Sequence, residues 1–326
     1  MSDKPRIFLT RELPSETMAI LREQSELTMN PEDRYLTKRE IIEGVAGVDG
    51  LLCLLTDTID DEILSANPAL KVVSNFAVGF NNIDVEAATV RKIPVTNTPG
   101  VLTETTADMA FALLLDAARR VTEGDRFVRT RAWQGWGPLQ FLGSDVSNAT
   151  LGLVGLGRIG KAMIPRASGF SMKVLYWNRT RLTEQEEASL NVTYCELDEL
   201  LRESDFVSVH VALNEKTRHL IGARELSLMK PQACLVNTAR GPVVDEKALV
   251  GAMQAGTIAG AGLDVYEQEP LLEPELYEMN NVVIAPHLGS GTIGTRTKMG
   301  NMAAENCLAA CHGELPPNLV NPQIYA

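Results

Sequence analysis

Short apolar runs alternate with amphipathic helical patterns along almost the whole of this 326-residue chain, without an internal repeat or a low-complexity linker. The predicted strands at residues 5–9, 48–55 and 70–77, and the predicted helix at 85–93, are examples. Strands that alternate with helices are typical of βαβ units, in which the strands pair in parallel and the helices cover the sheet. The fold class is therefore predicted as α/β.

A long helical pattern over residues 103–130 separates two sets of strands, and a final helix is predicted at 291–313. We therefore predict two doubly wound, Rossmann-like parallel-sheet domains with a cleft between them. Residues 1–101 with residues 290–326 form the first, flavodoxin-like domain, to which the last helix returns. Residues 102–289 form the second.

The composition excludes several classes of partner. The net charge is −12, which disfavours nucleic acid and anionic membranes. The first ten residues lack the apolar stretch of a signal peptide, and no run reaches the ~18 apolar residues of a membrane span. The five cysteines are scattered, and Cys307 and Cys311 have no second ligand pair nearby. We predict reduced thiols, no metal site and a cytoplasmic location.

A glycine pattern follows the first strand of the second domain. In LGLVGLGRIGKAM, the order Gly155-x-Gly157-x-x-Gly160 lies between an apolar strand and a helix. The first glycine permits a tight turn, the second lets the backbone approach a pyrophosphate, and the third lets helix and strand pack closely. This context predicts a dinucleotide site.

The next strand, KVLYW, ends at Asn178, Arg179, Thr180 and Arg181. In an NAD site an Asp or Glu at this point accepts hydrogen bonds from the ribose and repels a 2′-phosphate. Asn178 carries no charge, whereas Arg179 and Arg181, with Arg158 in the glycine turn, offer donors that suit a phosphate. We predict NADP(H) as the preferred cofactor, with NAD(H) possible. The alternative is a solvated turn whose arginines bind nothing.

Three further stretches place polar side chains after strands. Arg240 follows one strand, Glu267 and Glu269 follow a second, and His287 follows a third. In doubly wound sheets the ligand crevice lies at these carboxyl ends. An arginine for a carboxylate and a histidine as proton donor suit the reduction of a 2-keto acid, and a carboxylate favours the protonated imidazole.

Each of these residues also has a plainer interpretation when it is taken alone. The arginine is then a surface residue, and the two glutamates belong to a solvated turn. Among the other histidines, His210 ends a strand and either approaches a nicotinamide or is simply packed. His219 and His312 are expected on helix surfaces.

Six motifs in combination resemble the D-isomer-specific 2-hydroxyacid dehydrogenases, most closely their glyoxylate/hydroxypyruvate reductase branch. In chain order they are NFAVGFNNIDV, NTPGVLTETTADMAFALLL, GLVGLGRIG, VNTARGPVVDE, GLDVYEQEP and APHLGSGT. The resemblance implies that Arg240 binds the substrate, that His287 is the general acid/base, and that Glu269 rather than Glu267 pairs with the histidine. It also implies a homodimer built on the cofactor domain.

The same resemblance implies the remaining site residues. The substrate, a small 2-keto or 2-hydroxy acid, is expected to contact Leu55, the backbone of Val78 and Gly79, Arg240 and His287. The cofactor is expected to contact Thr106, Gly155, Gly157, Arg158, Ile159, Gly160, Asn178, Arg179, Thr180, Val211, Thr238, Ala239, Asp264 and Gly289.

Some alternatives remain open. Val78 stands where phosphite dehydrogenases carry a lysine, which disfavours phosphite, and residues 54–60 show no cationic cluster for the phosphate of 3-phosphoglycerate. An NAD-linked dehydrogenase of another substrate is the second interpretation, and a cofactor-sensing binding protein similar to the family's corepressors is the third. Trp136 either enters a partner subunit's site or is a packed aromatic.

Overall fold

The computed structural model describes residues 4–325, and the chain divides into two compact units. Unit 1 comprises residues 1–102 and 291–326, and unit 2 comprises residues 103–290. No helix within residues 4–325 is long and apolar enough to cross a membrane.

The helices and strands alternate as the sequence pattern predicts. The first part of the chain contains β1 (Arg6–Leu9), α1 (Ser15–Gln24), β2 (Glu26–Met29), α2 (Lys38–Val45), β3 (Gly50–Leu54), α3 (Asp61–Ser65), β4 (Val72–Phe76), α4 (Val85–Val90), β5 (Val95–Thr96), α5 (Thr103–Arg119) and α6 (Val121–Arg129). The remainder contains β6 (Thr150–Val154), α7 (Arg158–Gly169), β7 (Lys173–Trp177), α8 (Glu184–Leu190), β8 (Thr193–Tyr194), α9 (Leu197–Glu203), β9 (Phe206–Val209), α10 (Ala223–Leu228), β10 (Cys234–Asn237), α11 (Glu246–Gln254), β11 (Gly260–Leu263), β12 (Val282–Ile284) and α12 (Ile293–Cys311). Short 3-10 turns lie at Gly241–Val243, Pro274–Tyr277 and Pro322–Tyr325.

Unit 1 is built on a parallel sheet of five described strands in the order β2-β1-β3-β4-β5. Alternate residues of β1 enter different apolar clusters: Ile7 and Leu9 pack with α1 and α12, whereas Phe8 packs with α2 and α3. Because side chains alternate along a strand, this division places helices on both faces of the sheet. Helix α12 closes one face, where Ser74 donates to the Ala303 carbonyl at 2.8 Å.

Unit 2 is built on a parallel sheet of seven described strands in the order β12-β11-β10-β9-β6-β7-β8. The chain starts in the middle at β6, builds outward through β7 and β8, and then returns to the other side of β6 with β9. The fold prediction of two parallel α/β domains is therefore confirmed. The reversal of strand order between β6 and β9 is a topological switch point, which in open parallel sheets leaves a crevice beyond the carboxyl ends of the strands.

The long helix predicted over residues 103–130 is two helices. Helix α5 ends at Arg119, and Arg120 adopts a left-handed conformation with φ of 55° before α6 begins at Val121. Asp116 caps α6 because its carboxylate accepts hydrogen bonds from the backbone and the hydroxyl of Thr122. The helical periodicity continues through the break, so the pattern alone does not reveal it.

The connections after β10 and β11 approach each other more closely than side chains allow. An ideal Cβ on Gly241 would lie 1.8 Å from the carbonyl carbon of Tyr266 and 2.4 Å from the nitrogen of Glu267. Any other residue at position 241 therefore has to displace the backbone of its neighbour.

Replacing Gly241 with alanine should lower the free energy of unfolding by about 1–3 kcal/mol, because the added methyl group overlaps a main chain that cannot rotate away. Denaturant titration of the purified protein measures this change. Gly251→Ala is the matched control, since nothing lies within 4 Å of an ideal Cβ in the interior of α11. That variant should gain about 0.5–1 kcal/mol from helix propensity. Equal stabilities of the two variants would contradict the close approach.

Candidate active site

The glycine turn of unit 2 lies at the switch point. Gly155 follows β6 with φ of +101°, and its N–H donates to the Trp177 carbonyl at the end of β7 at 2.9 Å. On the other side, the N–H of His210 donates to the Val154 carbonyl at 2.8 Å. A Cβ on Gly155 would lie 2.9 Å from the carbonyl carbon of His210. The positive φ and this contact both require glycine here.

The other two glycines have different surroundings. A Cβ on Gly160 would lie 2.3 Å from the Gly155 carbonyl oxygen, so this glycine lets α7 pack directly against the turn. Nothing lies within 4 Å of an ideal Cβ on Gly157, which is exposed at the amino terminus of α7. An exposed glycine before a 12-residue helix provides free N–H groups and a positive dipole end for an anion.

Other predicted cofactor residues lie along the same edge of the sheet. Thr238 follows β10, and its buried Oγ1 has no hydrogen-bond partner within residues 4–325. Val211 follows β9 and is half-buried, with its side chain against Gly155. Ile159 is half-buried in the first turn of α7, and Ala239 follows Thr238. An open glycine turn and an unpaired buried hydroxyl at a switch point fit a bound dinucleotide.

The loop after β7 places its two arginines in different environments. Arg179 is exposed and makes no hydrogen bond or ion pair within residues 4–325. Arg181 instead forms a bidentate contact with Glu187 of α8, with its Nε and an Nη at 2.8 and 2.9 Å from the two carboxylate oxygens. It also stacks over the Tyr194 ring at 5.1 Å. The expectation that both arginines offer free donors therefore does not hold for Arg181.

Asn178 has a structural contact of its own. Its amide donates to the Thr180 carbonyl at 3.0 Å and thereby closes the loop on itself. A carboxylate cannot donate this hydrogen bond. Arg158, the third cation of the prediction, is exposed at the start of α7 and is not paired with any described residue.

His287 and Glu269 form a hydrogen-bonded pair. His287 lies after β12 with φ of +55°, and its Nδ1 is 2.8 Å from a carboxylate oxygen of Glu269. The second oxygen of Glu269 accepts the N–H of Tyr266 at 3.1 Å. The histidine side chain is 25% exposed, and its Nε2 makes no hydrogen bond within the described chain. Nε2 is therefore the nitrogen available to a ligand.

Burial and nearby charges act in opposite directions on the pKa values of Glu269 and Arg240. Burial is the largest influence on Glu269 and raises its pKa, but the hydrogen bond and charge of His287, the Tyr266 N–H and the charge of Arg240 together lower the pKa below its usual value. Burial lowers the pKa of Arg240, and the charge of Glu269 opposes this shift. The lowered pKa of Glu269 keeps its carboxylate ionised at pH 7. Arg240 is also charged at pH 7, because a guanidinium titrates far above neutral pH.

Arg240 lies on a turn that the asparagine at the end of β10 organises. The Asn237 amide donates to the Arg240 carbonyl at 3.0 Å, and its oxygen accepts the N–H of Ala239 at 3.0 Å. The Arg240 guanidinium donates to the Ala239 carbonyl at 2.7 Å. Asn237 belongs to the VNTARG motif, but the sequence alone does not indicate that it shapes the turn.

Asp264 holds the segment after His287. It is buried, and its two oxygens accept the N–H groups of Leu288 and Gly289 at 2.6 and 2.7 Å. Thr106 of α5 donates to the Gly289 carbonyl at 3.2 Å. Gly289 therefore contacts both Thr106 and Asp264, and Asp264 also positions the backbone that follows the histidine.

A second histidine–carboxylate pair supports the loop that carries Glu269. His219 is not on a helix: it lies in a turn with φ of +52°, and its Nε2 is 2.9 Å from Glu267. The other Glu267 oxygen accepts the Glu246 N–H at 2.9 Å, while Glu246 accepts the N–H groups of Glu267 and Glu273. These exchanges fasten the loop to the start of α11. The sequence did not reveal the role of Glu246.

His210 is packed at the end of β9. Its Nε2 is 2.8 Å from the Ser208 hydroxyl, and its Nδ1 is buried without a partner among the described residues. Burial lowers its pKa to about 4, so the ring is neutral at pH 7. The remaining histidine, His312, is exposed at the end of α12.

The predicted substrate residues of unit 1 lie at the carboxyl ends of β3 and β4. Leu55 directly follows β3 and is half-buried. The carbonyls of Val78 and Gly79 accept the side-chain amides of Asn97 and Asn75 at 2.7 and 2.9 Å. The backbone N–H groups of Val78 and Gly79 have no acceptor within residues 4–325. Two amides thus hold a turn that has two free donors, as anion binding requires.

Comparisons with known proteins agree with these features. Residues 111–289 match the family described as D-isomer specific 2-hydroxyacid dehydrogenase, NAD binding domain. A glyoxylate reductase of Korarchaeum cryptofilum is 53% identical over 323 residues, which are 98% of this chain and 97% of that protein. A solved protein of Thermus thermophilus is 44% identical with a TM-score of 0.90, covering 97% and 99% of the two chains.

A third relative was solved with ligands. The NADPH-dependent glyoxylate/hydroxypyruvate reductase of Sinorhizobium meliloti, in complex with NADP and malonate, is 34% identical with a TM-score of 0.85, covering 98% of this chain and 97% of that one. The matched family and the relatives' near-complete coverage agree with the resemblance that the six sequence motifs indicate. The chain belongs to the D-isomer-specific 2-hydroxyacid dehydrogenase family and is an NAD(P)-dependent oxidoreductase.

Proposed function

We propose that this protein reduces glyoxylate and hydroxypyruvate to the corresponding 2-hydroxy acids, with NADPH as the preferred cofactor and His287 as the general acid. The observation that carries the proposal is the His287–Glu269 hydrogen bond of 2.8 Å, which leaves Nε2 unbonded on a half-buried ring, with the charged Arg240 interacting with the same glutamate. The similarity to named glyoxylate reductases supports the choice of substrate.

His287 supplies the proton in this proposal. Because Nδ1 is hydrogen-bonded to the ionised Glu269, the carboxylate fixes the orientation of the ring and leaves Nε2 to face the substrate. Nε2–H then donates to the keto oxygen as negative charge develops on it. A nicotinamide cofactor would supply the hydride that the keto carbon accepts. One hydride and one proton convert the carbonyl to a hydroxyl.

Arg240 binds the substrate carboxylate and polarises the carbonyl, since a planar fork of donors suits both groups. The free N–H groups of Val78 and Gly79 are proposed as further donors to the carboxylate. Leu55 is proposed to contact the part of the substrate that lies opposite its carboxylate. Glyoxylate and hydroxypyruvate have little beyond the 2-keto acid group, which agrees with a site whose predicted contacts are mainly polar.

The cofactor is assigned to the carboxyl edge of unit 2, with its pyrophosphate at Gly157 and the amino terminus of α7. Arg179 is proposed to bind the 2′-phosphate, because its guanidinium is exposed and uncommitted within residues 4–325 and no acidic residue stands at position 178. Thr106, Thr238 and Asp264 are proposed at the nicotinamide end.

The alternative activity is an NAD-linked dehydrogenase of another 2-hydroxy acid. A panel of 2-keto acids, each measured with NADPH and NADH, separates the two. The proposal requires glyoxylate and hydroxypyruvate with NADPH to have the highest kcat/KM. A bulkier keto acid with NADH in first place would overturn it.

The first prediction concerns the general acid. His287→Ala should lower kcat for glyoxylate by about two to four orders of magnitude, with cofactor affinity nearly unchanged. His312→Ala is the control, because His312 is exposed at the end of α12 and has no proposed contact with the substrate or with the loop that carries Glu269. Similar rates for His287→Ala and the parent would remove His287 from the mechanism.

The second prediction concerns the 2′-phosphate. Arg179→Ala should raise the KM for NADPH about ten- to a hundred-fold, the value of one charge-assisted contact, and leave NADH kinetics unchanged. Asn178→Asp should add to this effect, because it introduces a repelling carboxylate and loses the hydrogen bond to Thr180. Steady-state kinetics with both cofactors measures the two constants. Equal weakening of both cofactors by Arg179→Ala contradicts phosphate recognition.

The third prediction is a homodimer. The segment 132–143 exposes large apolar side chains, with Trp136 at 84% and Leu139 at 82% exposure, and such a patch is unfavourable on the surface of a monomer. Light scattering should give about twice the 35.5 kDa chain mass. Leu139→Asp should weaken association, whereas Val90→Asp, at a residue also 82% exposed but outside the segment, should not. A monomer at micromolar concentration refutes the prediction.

A further inference from the structure

Glu187 and Tyr176 lie outside the predicted cofactor site, yet they make most of the contacts that hold the loop at residues 178–182. Tyr176 is fully buried in β7, and its hydroxyl donates to a Glu187 oxygen at 2.7 Å. The same hydroxyl accepts the N–H of Leu182, at the far end of the loop, at 2.9 Å. One hydroxyl therefore connects the strand before the loop, the backbone after it, and α8.

Glu187 also holds the side chain of Arg181. Both carboxylate oxygens accept from the guanidinium, at 2.8 and 2.9 Å, and the Glu187 side chain is only 11% exposed. The hydrogen bonds from Arg181 and then Tyr176 lower the pKa of Glu187 to about 2, although burial opposes the shift. The carboxylate is thus ionised throughout the neutral range and cannot release the arginine by taking up a proton.

Aromatic packing also restrains the Arg181 side chain. Arg181 stacks on the Tyr194 ring at 5.1 Å, and the Tyr176 and Tyr194 rings meet edge to face with centroids 5.5 Å apart. Arg181 therefore has a carboxylate against its donors and a ring against its flat side. Two of the guanidinium donors and one face of its plane are therefore already committed to these contacts.

Arg179, two residues before Arg181, has none of these restraints. Arg179 is exposed and makes no hydrogen bond within residues 4–325, while the Asn178 amide closes the loop on Thr180 at 3.0 Å. The loop adjoins the glycine turn, because β6 and β7 pair up to Val154 and Trp177 and Gly155 donates to the Trp177 carbonyl. Arg181 is fixed, and Arg179, two residues before it, is presented beside the anion-binding turn.

We infer that Tyr176, Glu187 and Arg181 form a clamp that preorganises the 178–182 loop for recognition of the cofactor's 2′-phosphate by Arg179. The three are positioning residues and do not contact the phosphate. The inference rests on the proposed preference for NADPH. Its physical basis is that an ordered loop does not have to lose conformational entropy on binding, so the clamp raises affinity for the phosphorylated nucleotide alone.

Glu187→Gln is the decisive variant, because the two possible roles of Arg181 predict opposite signs. If the clamp positions Arg179, the variant loosens the loop and affinity for the 2′-phosphate falls. If Arg181 binds the phosphate itself, the variant frees this arginine and removes a negative charge, so affinity rises. Glu184→Gln is the matched control, since it removes the same charge from an exposed position of α8 that makes no hydrogen bond to the loop.

Calorimetry with adenosine 2′,5′-bisphosphate and with AMP gives the readout, since the two probes differ by the 2′-phosphate and require no turnover. Glu187→Gln should weaken the bisphosphate about two- to ten-fold and leave AMP unchanged. Tyr176→Phe, which keeps the ring, should act in the same direction, and this variant preserves the test if Glu187→Gln does not fold. Arg181→Lys should also weaken the bisphosphate, but a phosphate-binding Arg181 predicts the same loss. The NADPH-to-NADH ratio of kcat/KM should fall in parallel.

Two outcomes separate failure of the inference from failure of the proposed function. If Arg179→Ala weakens the bisphosphate while Glu187→Gln, Tyr176→Phe and Arg181→Lys leave it unchanged or strengthen it, the clamp is wrong and the NADPH preference stands. If Arg179→Ala itself leaves the bisphosphate affinity unchanged, the loop does not bind the phosphate, and both the preference and the clamp fail.

Discussion

Parallel strand pairing is the constraint on which the candidate site of unit 2 depends. Because β6, β7 and β9 to β12 all run in the same direction, their carboxyl ends meet at one edge of the sheet. Gly155, Asn178, His210, Thr238, Asp264 and His287 lie at or just after these ends, although more than 130 residues separate the first from the last. No single motif contains a site; the sheet brings the motifs together.

Close backbone contacts then set the shape of that edge. Gly160 packs against the Gly155 carbonyl, and Gly241 packs against the main chain of Tyr266 and Glu267. Each contact has room only for a hydrogen atom, so these two glycines act through packing rather than flexibility. The packing of Gly241 also brings the turn that carries Arg240 against the loop that carries Glu269.

Carboxylates in this unit serve chiefly as acceptors that hold loops. Asp264 accepts two backbone N–H groups after His287, Glu246 accepts two in the loop around Glu269, and Glu187 holds Arg181 and Tyr176. A charged acceptor makes stronger hydrogen bonds than a neutral one and repays the cost of burial when all its oxygens are used. The same loops hold His287 and Arg179, whose Nε2 and guanidinium make no hydrogen bond within residues 4–325.

The sequence alone determined the α/β class, the two parallel sheets and the glycine turn, because periodicity and spacing are properties that the chain carries in one dimension. The pairing of Glu269 with His287 was implied by the resemblance of the motifs to a known family, and the structure contains that pair. Only the tertiary structure showed which contacts hold each of two similar residues. Arg179 and Arg181 are both cations in one loop, and Glu267 and Glu269 are both carboxylates in one turn. Their side-chain contacts distinguish them: Glu187 and Tyr194 hold Arg181, and His219 and Glu246 hold Glu267. The break at Arg120 likewise stayed hidden, because the helical period continues through it and a left-handed φ leaves no mark on hydrophobic spacing.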